Sequence, residues 1–145
     1  MMVYSESLRN LAQKLKVTNS TRGTLVTDRA AIADTSATRR TGLLKHTKLD
    51  PGDGLWIAPC EGVHTFAMKF AIDVVYLNKA KKVLKIRPNM PKSRISLCLS
   101  AHSVLELPAG MAEATQTVKG DQLVFDVAGE RVEVRITSVR KLAWD

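Results

Sequence analysis

The chain has 145 residues, 45% apolar and 25% charged, a size and composition that suit one globular domain with one core and argue against wholesale disorder. Twenty-two Lys and Arg against fourteen Asp and Glu leave a net charge of +8, unevenly spread: no acid falls between Asp73 and Glu106, a span that holds Lys79, Lys81, Lys82, Lys85, Arg87, Lys92 and Arg94. Two cysteines, Cys60 and Cys98, are too few for a dense disulfide framework, and no run of about eighteen apolar residues offers a transmembrane helix.

Residues 1–23 read as an N-terminal helix or tail. Leu8, Leu11, Ala12 and Leu15 fall at helical spacing over residues 5–16, with Ser5 or Ser7 as a cap. The first residues lack the apolar core of a secretory signal, so a cytoplasmic location is expected. Residues 24–145 read as a single β-rich domain. Leu25, Val26, Ala30, Ile32 and Ala33 suggest a first strand region interrupted by Asp28-Arg29, and Thr35–His46 a short helix capped by Thr35 or Ser36. Asp50-Pro51-Gly52-Asp53-Gly54 is a turn without the acid spacing of a calcium loop. Leu55–Ala58 is a short buried strand. Ile72–Leu77 is β-branched and aromatic throughout, so it should be covered on both faces. It enters a hairpin through Asn78–Lys82 into Val83–Arg87, with Leu84 and Ile86 expected on one face and Val83, Lys85 and Arg87 on the other. Pro88–Pro91 should break that strand. Val104–Leu107, a helical turn within Met111–Val118, the strand Leu123–Val127 and a last hairpin through Ala128-Gly129-Glu130 to Val132, Val134 and Ile136 follow. The fold class expected is mainly β: a two-layer β-sandwich or partly open barrel with one or two short helices.

Several ordered blocks carry a resemblance. Gly42-Leu43-Leu44, Pro59-Cys60, His64-Thr65-Phe66-Ala67-Met68, Ala71-Ile72-Asp73-Val74-Val75-Tyr76-Leu77, Leu105–Gly110 and Gly120-Asp121 stand in the order found in the domain of unknown function 192 family, which the chain resembles over about residues 35–126. The resemblance implies a small β-sandwich and brings no catalytic residue with it. Ala71 departs from the family pattern, which often has proline before Ile-Asp.

Asp73 interrupts an apolar strand, where an unpaired carboxylate would be costly. It must lie at an edge, pair with a cation such as Arg87, Lys69 or His64, or be capped by backbone N–H groups; Glu106, inside Val-Leu-Glu-Leu-Pro, raises the same question. The leading expectation is a non-catalytic domain that binds a small ligand or a protein through a cleft lined by the Cys60–Met68 loop, with His64, Thr65, Met68, Asp73 and Glu106 as ligand-binding residues. One alternative is a small enzyme with Cys60 as nucleophile, His64 as base and Glu106 as the orienting carboxylate. Another is an anion or nucleic-acid binder acting through Lys82, Lys85, Arg87 and Arg94 in the basic 79–94 stretch, although few aromatics accompany those cations. No cofactor and no metal are expected: Cys60, His64, His46, His102 and Cys98 show no ligand spacing.

Overall fold

In the computed structural model, which describes residues 13–128, β-branched and apolar runs punctuated by Gly, Pro and Asn turns form nine strands and two short helices. In chain order these are β1 (Leu15–Asn19), β2 (Thr24–Ala33), α1 (Ser36–Thr41), β3 (Asp53–Ile57), β4 (Gly62–His64), β5 (Ile72–Leu77), β6 (Val83–Met90), β7 (Ile95–Leu97), β8 (Ser103–Pro108), α2 (Met111–Ala114) and β9 (Leu123–Val127). Seven strands make one curled half-barrel sheet in the order β6-β5-β8-β3-β2-β1-β9, and β4 pairs with β7 in a separate two-stranded ribbon. Among the described residues only β2 and β3 run parallel, linked through α1. The curl brings the two ends of the sheet together at one corner. There the Val83 N–H donates to the Asp121 carbonyl at 2.9 Å and the Gly120 N–H to the Val83 carbonyl at 2.8 Å. The architecture is the partly open barrel; a ribbon of two strands, not a second full sheet, packs on one of its faces.

β5 explains why this sheet needs cover on both sides. Ile72, Val74 and Tyr76 join one core cluster, and Val75 and Leu77 join the other, as side chains alternating across a pleated strand must. The cluster around Val75 draws residues from both end strands, Val83 and Leu123, so it fills the inside of the half-barrel. The cluster around Tyr76 includes Leu43, Val63, Met68 and Ala101 from outside the main sheet, so the ribbon and the segment after α1 roof that face. Two side-chain bonds fix the ribbon there. The Tyr76 hydroxyl and the Ser96 hydroxyl are 2.9 Å apart, and the Lys85 ammonium donates to the Leu97 carbonyl at 2.8 Å.

The structure corrects several local expectations. Leu15 and Lys16, read as the end of a helix, lie in β1 between β2 and β9; the rest of that segment, like the expected hairpin beyond Ala128, lies outside the described residues. β2 runs unbroken through Asp28-Arg29, whose charges meet at its surface, where the Arg29 guanidinium also contacts Asp53 at 3.2 Å. β6 continues to Met90 rather than stopping at Pro88. It is an edge strand, where a missing N–H costs no ladder bond. A bulge opposite Tyr76 and Leu77 also puts Leu84 and Ile86 against different clusters rather than on one face. α1 is shorter than the expected Thr35–His46. Thr35 caps it reciprocally with Thr38 (3.0 and 3.1 Å), and Gly42, at φ +48, ends it.

Candidate functional site

The roofed face is not filled completely. Between α1, the end of β3, β4 and β8 lies a cavity of about 610 Å³, within the ordinary range for a small-molecule pocket. Glu106 reaches it from the middle of the sheet. Its strand pairs it with Val74 on β5 and Leu55 on β3, and alternation along β8 sends its side chain to the same face as Val104, away from Leu105 and Leu107. The residue is only 6% exposed, and its side chain makes no hydrogen bond or ion pair with the described residues. Burial pushes its carboxyl up to about 7, well above the ordinary carboxylate range.

Cys60 lies beside it. Its N–H donates to the His102 carbonyl at 3.0 Å, placing it at the start of β8, and its thiol donates to the Gly62 carbonyl at 3.1 Å. Burial raises the thiol pKa; the charges of Glu106 and Glu61 add to the rise and that of Arg39 opposes it. Cys98 is likewise a free thiol, 3.7 Å from the Ser100 hydroxyl. His64, at the end of β4, lines the cavity wall, but its ring is exposed and stacks on Phe66 at 5.3 Å rather than meeting the thiol. Met68 lines the cavity as an apolar wall with Leu43, Ile57 and Val63.

Of the residues expected to bind, His64, Met68 and Glu106 therefore share one cavity, together with Cys60, the candidate nucleophile. Thr65 and Asp73 do not line it. The Thr65 hydroxyl donates to the Pro91 carbonyl at 2.6 Å and accepts the Arg94 N–H at 2.9 Å, which ties the loop before β7 to the loop after β4. Asp73, 0% exposed, lies on the opposite face of the sheet from Tyr76 and accepts the backbone N–H groups of Asn89 at 2.8 Å, Gly110 at 3.1 Å and Ala112 at 2.8 Å. It fastens the irregular end of β6 to the start of α2. Of the three resolutions open to it in sequence, the backbone cap is the one realised.

The four cations expected to grip an anion do not line the cavity either. The Lys85 ammonium lies 5.8 Å from the Tyr76 ring centre besides bonding Leu97, while Arg87 donates to the Pro88 carbonyl of its own strand and Arg94 to carbonyls of the loop before β7. Two other cations line it instead. Arg39 and Arg40, at the C-terminal end of α1, face the cavity together with Ser36 and Thr41. Sequence reading passed over them. The available signal was a paired arginine immediately before Gly42-Leu43-Leu44, on a helix that buries no residue of its own. Among the described residues no group of three or more His, Cys, Asp or Glu could hold a metal ion, and no helix is long and apolar enough to cross a membrane.

Comparison with known proteins agrees with this architecture. A UPF0127 protein of Thermococcus sibiricus (strain DSM 12597 / MM 739) is 28% identical over 118 residues, covering 78% of this chain and 76% of that one. A protein of unknown function from Novosphingobium aromaticivorans DSM 12444 superposes with a TM-score of 0.66 at 20% identity, over 76% of this chain and 82% of that one. A Sinorhizobium meliloti 1021 protein, named provisionally a transcription regulator, superposes with a TM-score of 0.69 at 18% identity, over 78% of this chain and 92% of that one. At these identities the two solved structures speak for the fold alone. The family model described as "Uncharacterized ACR" matches residues 17–125, and the chain belongs to that family, domain of unknown function 192.

Proposed function

We propose that this protein is a non-catalytic binding domain that takes a small acidic molecule into the cavity between α1 and β8. The observation that carries the reading is Glu106: a carboxyl group buried against apolar neighbours, unpartnered among the described residues and open to a cavity. Burying a polar group without a partner costs about 1–3 kcal/mol, a cost that a bound ligand would offset. The remaining polar lining indicates the ligand's sign. Arg39 and Arg40, the Ser36 hydroxyl and the protonated form of Glu106 can all donate hydrogen bonds, and among the described residues Glu61 is the one further acid in the lining. An oxygen-rich anionic head fits such a set, with Leu43, Ile57, Val63 and Met68 against its apolar part.

Two features favour binding over thiol catalysis. A cysteine nucleophile needs a lowered pKa and a base in hydrogen-bonding reach. Here the Cys60 thiol is raised and bonded to a carbonyl, while His64 stacks elsewhere. The basic 79–94 stretch, for its part, supplies no residue to the lining of this cavity. Lys81 alone lies 5.1 Å from the Trp56 ring centre and 5.3 Å from that of Phe125.

The test is amide-shift mapping by NMR with a fragment set of carboxylates and phosphate monoesters, matched to primary amines of similar size. Acidic fragments should shift amides in residues 36–44 and 60–64, and the Arg39→Ala/Arg40→Ala variant should abolish those shifts. A preference for amines, or shifts confined to other surfaces, would overturn the reading.

A further inference from the structure

The β4–β7 ribbon turns apolar side chains outward as well as inward. Phe66, Ile95, Leu97 and Leu99 are 47%, 63%, 56% and 75% exposed, and all four line one shallow depression of about 420 Å³. Alternation along β7 explains the pattern: Ser96 is buried beneath Tyr76 while Ile95 and Leu97 point away from the core. Such a cluster is unusual for a surface that meets only water. Its surroundings are cationic. Arg94 precedes Ile95 directly, exposed Lys92 stands two residues earlier, Lys69 follows Met68, and the Lys85 ammonium sits on the Leu97 carbonyl. Among the described residues the single acid lining the depression is Glu61.

We propose that this face docks on an anionic lipid bilayer, the four apolar side chains entering the interface while the lysines and Arg94 meet the headgroups. Charge selects this occupant over a second copy of the chain, because an isologous contact would bring two like-charged rims together. Composition selects it over a protein partner. Protein interfaces concentrate energy in Trp, Tyr and Arg set in pockets. Here the apolar part is aliphatic apart from Phe66, and the charge is carried mostly by lysines on flexible stems, the mixture that suits a headgroup–acyl boundary. Exact side-chain aim matters little, because the surface potential acts over about 8–10 Å at physiological salt. With no membrane-crossing helix among the described residues, the attachment is peripheral.

The experiment is co-sedimentation of the full chain with vesicles of phosphatidylcholine alone and of phosphatidylcholine with 30% phosphatidylglycerol, from about 50 to 500 mM NaCl. Binding is expected to the anionic vesicles and not to the neutral ones, and to weaken as salt rises. Leu97→Ser and Leu99→Ser should each weaken it about tenfold, and Lys92→Glu should weaken it at low salt. All three positions lie outside the Glu106 cavity, and unchanged thermal unfolding of each variant confirms its fold. Three outcomes would overturn the proposal: no binding to anionic vesicles at low salt, binding indifferent to both leucine variants, or a wild-type dimer that Leu97→Ser converts to monomer.

Discussion

Glu106→Gln should make the protein more stable, and only at higher pH. In the folded chain burial raises the carboxyl from an ordinary 4.5 to about 7. A carboxyl raised on folding favours the native state when protonated, so its contribution is full below pH 4.5 and is lost as pH rises through about 7. At about 1.4 kcal/mol per pH unit, that rise corresponds to roughly 3 kcal/mol lost by wild type across the window. Glutamine has the shape of the protonated acid and does not titrate, so the variant is spared the loss. The two proteins should have similar stability near pH 4.5, and the variant should lead by roughly 3 kcal/mol at pH 8, or about 5–10 °C in Tm for a domain of this size. Urea unfolding of both proteins at pH 4.5, 6, 7 and 8 measures the difference. Parallel curves, with a constant gap at every pH, would refute the reasoning and mean that Glu106 has a partner or solvent that restores an ordinary carboxyl. A residue that weakens the fold near neutral pH is easier to understand as part of a site than as part of a scaffold.

Asp73→Asn should destabilise by about 2–4 kcal/mol, because an amide cannot accept all three backbone N–H groups and turns its own N–H toward at least one donor; a loss under 0.5 kcal/mol in thermal unfolding would mean that the β6–α2 fastening carries no weight. Cys60 should react with iodoacetamide at pH 7.5 more slowly than the same cysteine in urea-unfolded chain, since burial raises its thiol; faster reaction in the folded protein would restore the nucleophile reading.

Much of this fold is legible in residue types. The run Ile72–Leu77 has no polar face, and a strand of that kind can only sit where both sides are covered, as β5 does. Asp73 announces itself as a puzzle in the same run. Its answer is not local: Gly110 and Ala112 lie 37 and 39 residues away, and Asn89 meets it only because β6 runs past Pro88. The strands β4 and β7 have three residues each, too few for alternation to emerge from a background of loop, and β7 exposes its largest side chains. Leu15 fits helical and strand spacing equally, and pairing with β2 and β9 decides between them. In sequence the Cys60–Met68 loop, Asp73 and Glu106 read as parts of one cleft; the loop and Glu106 meet at a cavity, and Asp73 lies elsewhere. That Arg39 and Arg40 form the cavity's other wall was not legible, because the crossover through α1 brings them there by topology rather than by spacing.

The most direct test of the central claim, that an acidic ligand binds against Glu106, is calorimetric titration of the carboxylate fragment giving the largest amide shifts, at pH 6 and pH 8, into wild type and Glu106→Gln. In wild type a fragment already ionised at both pH values should bind more weakly at pH 8, where Glu106 is charged and repels it, while the variant should lose clearly less affinity between the two. A wild-type affinity that does not change with pH, or a loss as large in the variant as in wild type, would contradict the account.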